Sequence, residues 1–330
     1  MFWSAFGIIS ASLCGGAEVA SQDTTAHPQF IPASTTWAWL GISLALLWKV
    51  RWFRLVNAAP QQWQLNTNQC ALLAASGIVL SGIVGALILR AMGVDTNGPL
   101  PPLTLLIAMV AGSMTTILVF LVLRHFSRDA NPPTDTNRLS TSSITQSGVI
   151  NRGITQSTRA TATWSKRAVQ NIVIGVIGFF IVWPLVQITS FVGGTIQFYV
   201  TGVLTPTVGH QFFETIREQW SEPVTWGLVF TIIVLGPLAE EIIWRGAIQQ
   251  GLKQIGIPRI GAMCLTAVIF ALVHWGAVPE YGHAAAIPAL AVFGFALGFL
   301  MERTGRLWSA FVAHSLFNCA NLFLFSMLPQ

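Results

Sequence analysis

The sequence predicts an all-α fold: a polytopic membrane helix bundle with about eight or nine transmembrane helices. Three observations carry that expectation. Hydrophobic residues make up 53% of the 330 residues and charged residues only 9%, far from the balance of a soluble domain of this size. Mean hydropathy is +0.64. The apolar residues also gather into runs about 20 residues long, the length that crosses a bilayer as a helix.

Taken in order, the runs lie near 2–20, 36–52, 70–90, 102–123, 168–191, 224–245, 260–278, 284–301 and 307–327. The first lacks the basic start of a secretory signal, although Gly15 and Ala17 offer small residues for cleavage, and it is read as a retained helix. Lys49, Arg51 and Arg54 follow the second run. Arg124, Arg128, Arg138, Arg152, Arg159, Lys166 and Arg167 flank or fill the gap after the fourth. Placing these on the cytoplasmic side also puts Lys253, Arg259, Arg303 and Arg306 there, as the positive-inside rule requires. The formal charge of +5 is therefore a topology signal, and no nucleic-acid partner is expected. Cys14, Cys70, Cys264 and Cys319 have no CxxC spacing and read as small packing residues.

The gap between the fourth and fifth runs is rich in Ser, Thr, Asn and Arg and repeats "ITQS" at 144–147 and 154–157. It is read as a disordered basic cytoplasmic loop over 125–167, able to touch anionic lipid. The loop divides the chain into N-terminal transmembrane helices of unassigned role, 1–124, and a C-terminal transmembrane domain, 168–330. Small-residue patterns such as Gly77-x3-Ser81-x3-Gly85 and Gly294-x3-Gly298 are packing faces.

All the unusual polar residues lie in the C-terminal part, between 236 and 321. The stretch "GPLAEEIIWRGAIQQGL" at 236–252 places two glutamates and an arginine inside an apolar run, and an ionisable group at membrane depth persists only when paired or used. Glu241 and Arg245 are four apart with Glu first, the favourable order for a pair on one helix face. Glu240 points about 100° away and is left for another task. Gly236-Pro237 is expected to break or kink the helix, placing the glutamates in the first turns of a new segment near its partially positive end. The following run carries His274, one turn after Phe270. The last carries His314 and Asn318, four apart, with Asn321 close to their face. Each polar residue alone reads as structural. Together, two carboxylates, an arginine, two histidines and an amide on three neighbouring helices can hold a water, take its proton and stabilise an oxyanion.

In order and type, Glu240-Glu241-x3-Arg245, Phe270-x3-His274 and His314-x3-Asn318 resemble the three motifs of the CAAX protease and bacteriocin-processing family, intramembrane endopeptidases related to the type II CAAX prenyl proteases. The resemblance implies an integral, multi-pass peptidase of a bacterial cell membrane, acting on a peptide or protein substrate, prenylated or not, within the bilayer. It further implies that Glu240, assisted by His274, activates the attacking water, and that His314 and Asn318 donate hydrogen bonds to the oxyanion. Glu241 and Arg245 would hold that geometry.

A metal-independent mechanism with no cofactor is implied, with zinc on Glu240, His274 and His314 as the alternative, since the ligand types suit it. HExxH, GxSG and GxGD are absent, which removes the common zinc, serine and aspartyl intramembrane signatures. Two non-enzymatic alternatives stand beside the protease: a transporter relaying protons or ions through Glu240, Glu241 and His274, and a membrane scaffold of the bacteriocin-immunity kind. Glu302, Arg303 and Arg306 read as a cytoplasmic helix end.

Overall fold

The computed structural model describes residues 65–94, 100–130, 149–203 and 219–326, with Gly41, Thr205 and Ile216 besides, and the backbone alone at 128–130, 149–168 and 326. The runs expected at 2–20 and 36–52 lie outside the described residues, Gly41 excepted. Among the described residues there is no strand, and seven helices are long and apolar enough to cross a membrane. We label them α1 (Thr67–Ala91), α2 (Pro102–Ala130), α3 (Val149–Thr201), α4 (Pro223–Gln254), α5 (Arg259–Leu272), α6 (His283–Thr304) and α7 (Leu307–Ser326). The protein is an integral, multi-pass membrane helix bundle. Large apolar side chains such as Leu72, Leu87, Leu118 and Ile196 are more than half exposed, as suits a surface solvated by lipid chains.

Helix ends follow local chemistry. α1 opens with a capping box in which the Asn66 side chain accepts the Gln69 N–H at 3.0 Å and the Gln69 side chain accepts the Asn66 N–H at 2.9 Å. α4 starts with Pro223 in its first turn, where a missing N–H costs nothing. α6 ends at Gly305, whose φ of +63° is the left-handed cap that lets its N–H reach the Met301 carbonyl. α2 and α3 run on as helical backbone into both ends of the 125–167 segment expected to be irregular. A helix already nucleated by an apolar run gains one hydrogen bond for each residue added, so the polar flanks can be carried along.

α4 is the hub. It touches α1, α2, α5, α6 and α7, while α3 packs against α6 and α7 on the far side. Trp244 and Ile243 of α4 meet Phe270 of α5, Phe293, Leu297 and Leu300 of α6, and Ala310 and Ala313 of α7 in one buried cluster. Close approach of α5 and α6 depends on Gly294, where a Cβ would meet the Phe270 ring at 3.0 Å and the Ala267 Cα at 3.2 Å.

The expected break at Gly236-Pro237 does not occur. α4 stays helical through it, with Leu235 at φ −70°, ψ −44° and Gly236 at φ −60°, ψ −57°. The proline is absorbed by a π-helical turn at Thr231–Leu235, in which the Gly236 N–H reaches back five residues to Thr231. The wider turn relieves the clash between the proline ring and the preceding carbonyls. Glu240 and Glu241 therefore sit in mid-helix, away from any helix N-terminus. A second π-turn, Ile242–Ile248, follows them directly.

Because α5 and α6 meet at Gly294, Gly294→Val is expected to lower the thermal unfolding midpoint of the detergent-solubilised protein by several degrees, from an overpacking cost of about 1–3 kcal/mol. An unchanged midpoint would show that this contact contributes nothing to stability.

Candidate active site

α4 delivers both glutamates and the arginine to the bundle interior. Glu241 and Arg245 are fully buried, and Arg245 Nη1 donates to Glu241 Oε1 at 2.9 Å, the pair expected from their spacing. The second guanidinium nitrogen donates to the Gly294 carbonyl of α6 at 2.9 Å. The guanidinium carbon also lies 5.1 Å from the centre of the Phe270 ring, a further attraction in an apolar surrounding. The π-turn at Ile242–Ile248 brings Trp244 and Arg245 inward together, with Trp244 edge-on to Phe270 at 5.6 Å.

His274 stands two residues beyond the end of α5, and its Nδ1 lies 2.6 Å from the Phe270 carbonyl. A carbonyl can only accept, so Nδ1 carries the proton and Nε2 of the neutral ring presents its lone pair. Phe270 places the two histidines, lying 4.7 Å from the His274 ring and 6.2 Å from the His314 ring, centre to centre.

His314, on α7, joins the two carboxylates. Its Nδ1 donates to Glu241 Oε1 at 2.8 Å, and its Nε2 lies 3.8 Å from Glu240 Oε2. Glu241 Oε1 thus accepts from both Arg245 and His314 and orients both the guanidinium and the imidazole. Glu240 is the more open carboxylate, its side chain 14% exposed against none for Glu241. Counted at about 1.5 Å per residue, His314 lies about 10 Å from the start of α7 and Glu241 about 20 Å from the end of α4. Their contact requires α4 to extend past α7 by about two turns at that end.

The Asn318 side-chain amide donates one of its two N–H groups to the Ile232 carbonyl of α4 at 2.9 Å. The cause lies in the proline. Ile232 would normally accept from Gly236, but that N–H goes to Thr231, and Pro237, next in line, has no N–H. Asn318 satisfies the carbonyl that the proline leaves over. Asn321 turns back on its own helix, donating to the Phe317 carbonyl at 2.9 Å.

The structure thus brings Glu240, Glu241, Arg245 and His314 into one connected cluster, with His274 joined to it through Phe270, and Asn318 bonded to the backbone of α4 about two turns before Glu240. Among the described residues, no three His, Cys, Asp or Glu side chains are arranged to share a metal ion. The Nδ1 atoms of His274 and His314 are engaged with the Phe270 carbonyl and with Glu241, which leaves Nε2 of each ring to face a further partner. Residues that sequence reasoning left out also take part: Gly294 supplies a carbonyl to Arg245, and Phe293 lies edge-on to His314 at 5.3 Å. A backbone carbonyl carries no signature in the sequence, and an apolar ring in an apolar helix carries little more.

Two stability outcomes follow. Glu241→Gln is expected to cost about 3 kcal/mol or more, since it leaves Arg245 charged and buried without its counter-ion. Glu240→Gln should cost much less, and equal shifts in unfolding midpoint would contradict the distinct placement of the two carboxylates. Asn318→Leu is expected to cost about 1–3 kcal/mol by leaving the Ile232 carbonyl unsatisfied. In the Pro237→Ala background, position 237 regains an N–H and the same change should cost at most half as much. A double-mutant cycle with strictly additive shifts would reject the proline–asparagine coupling.

The comparison with known families matches the segment that carries this geometry. Comparison with curated proteins and with solved structures gave no match. The family matched is a group of membrane proteases, and the match spans α4, α5, α6 and most of α7, under a third of the chain. Residues 222–320 match the model of the family described as Type II CAAX prenyl endopeptidase Rce1-like.

Proposed function

We propose that this protein is an intramembrane endopeptidase that hydrolyses CAAX-type or other membrane-associated peptide substrates with a glutamate-activated water. The observation that carries the reading is the Glu240–His314–Glu241–Arg245 cluster, buried in the bundle and contained within the segment that matches a protease family.

Glu240 is the base in this reading. It is the carboxylate not held by Arg245, and it keeps partial access to the surroundings. His274, with Nδ1 fixed on the Phe270 carbonyl, turns its lone pair at Nε2 outward from that bond and can accept a hydrogen bond from the same water. Attack on the scissile carbonyl forms a tetrahedral oxyanion, and the proton taken by Glu240 passes to the leaving amine. The donor to that oxyanion is His314 in its doubly protonated form, because Nδ1–H is already given to Glu241 and only the imidazolium offers a second N–H at Nε2. Glu241 and Arg245 act by holding that imidazole and offsetting charge.

Asn318 supports α4 through the Ile232 carbonyl, in the π-turn about two turns before Glu240. No zinc is needed for any of these steps.

The reading is tested by incubating the purified protein in lipid with a peptide library, prenylated and unprenylated, and reading products by mass spectrometry. Cleavage is expected in wild type and absent in Glu240→Gln, which keeps shape and removes proton-accepting capacity. Turnover near wild type in that variant would remove Glu240 as the base. Elemental analysis of active protein is expected to find much less than one zinc per chain. Stoichiometric zinc, with activity lost on chelation and regained on its return, would favour the metal mechanism.

A further inference from the structure

Three contacts between α4 and α6 share one sequence offset. Arg245 donates to the Gly294 carbonyl, Gln249 Nε2 donates to the Gly298 carbonyl at 3.3 Å, and Lys253 Nζ donates to Glu302 Oε1 at 2.5 Å, each pair 49 residues apart. A constant offset means that the two helices run parallel and in register, one rung every four residues, or about 6 Å. Gln249 also donates to Glu302 Oε1 at 2.9 Å, so the lower two rungs meet on one carboxylate oxygen. Gln249 is fully buried and Glu302 nearly so. Gly298 is needed for the fit, since a Cβ there would lie 2.8 Å from Gln249 Oε1.

The peptidase mechanism uses only the uppermost rung. We infer that Gln249, Lys253 and Glu302 form a positioning ladder that sets the height of the Glu240–Glu241 turn of α4 against α6. Sliding α4 by one turn either way would part Lys253 from Glu302 and move Arg245 off the Gly294 carbonyl, and separating a buried charge from its partner in a low-dielectric interior is costly. The second π-turn lies between the glutamates and Gln249, where helical registry is weakest and an external reference is most needed. Through Arg245 the register reaches Glu241, and through Glu241 it reaches His314. Gln249, Lys253 and Glu302 are positioning residues, for they touch neither substrate nor reacting atoms.

The activity arm of the test rests on the proposed peptidase reading, and the stability arm does not. Lys253 and Glu241 are 12 residues, or about 18 Å, apart along α4, a separation at which substitutions normally add. Unfolding temperatures of full-length protein in lipid nanodiscs are measured for Lys253→Ala, Glu241→Gln and the double variant. The double variant is expected to fall short of the summed shifts by more than about 2 °C. With a farnesylated fluorogenic CAAX peptide, Gln249→Leu and Lys253→Ala should lower kcat about 10- to 100-fold at unchanged KM, and Lys253→Arg should restore most of the rate. Additive shifts, or a kcat that falls only in proportion to folded protein, would overturn the ladder. Non-additive shifts in a wild-type protein that cleaves no library peptide would overturn the peptidase reading and leave the ladder standing.

Discussion

A fully buried guanidinium, that of Arg245, is the constraint from which the rest of this structure follows. In a bundle whose outer surface is apolar, such a charge persists only with every available compensation close at hand. Glu241 supplies the counter-charge at 2.9 Å, Gly294 a carbonyl, and Phe270 a ring face. Each compensation then constrains a further element. The Gly294 carbonyl is reachable because no side chain separates α6 from α5 at that level, and Phe270 must lie where Trp244, His274 and His314 also converge. Once Glu241 is committed to Arg245, its shared oxygen orients His314 as well.

The proline in α4 has a consequence for the hydrogen bonds around it. By forcing a π-turn it releases one carbonyl, at Ile232, that no residue of its own helix can satisfy, and Asn318 supplies the missing donor from α7. His314 and Asn318 are four apart on one face of α7. One grips a carboxylate of α4 and the other grips its backbone, so α7 is fixed to α4 at two points, one turn apart along α7. A buried backbone group with an unmet hydrogen bond thereby serves as a docking point between helices, a use suited to a membrane bundle where water cannot fill the vacancy.

These contacts also explain why the buried polar side chains concentrate in residues 222–320, the segment that matches the model of the family described as Type II CAAX prenyl endopeptidase Rce1-like. α4 carries the carboxylates, α5 ends at the His274 turn, α6 offers its carbonyls, and α7 brings the second histidine. α1 and α2 pack along α4 through apolar clusters that include Leu73, Phe120, Ile242 and Ala247. They support the helix from the side opposite the polar face.

Much of this was legible in the sequence, for reasons of scale. A run of apolar residues as long as a bilayer is thick has to be a helix, because no other single segment satisfies its own backbone in lipid. Seven of the expected runs match described helices to within a turn or so, apart from the ends of α3 and α4, which run further. The Glu241–Arg245 pair was equally readable, since a spacing of four fixes neighbours on one helix face whatever surrounds them. The continuation of that spacing through Gln249 and Lys253 was present too, but Glu302 looked like a helix end until α6 was seen to lie in register beside α4. The fate of Pro237 could not be read, because the π-turn leaves the Ile232 carbonyl over and only another helix can supply its donor. For the same reason the backbone partner of Asn318 was undetermined, since only the position of α7 against α4 brings its amide to the Ile232 carbonyl. What the sequence determined by itself is the set of contacts made within one helix. Contacts between helices, on which the placement of Glu240 and His314 depends, were decided by packing, because they rest on backbone groups and close approaches that have no letter in the sequence.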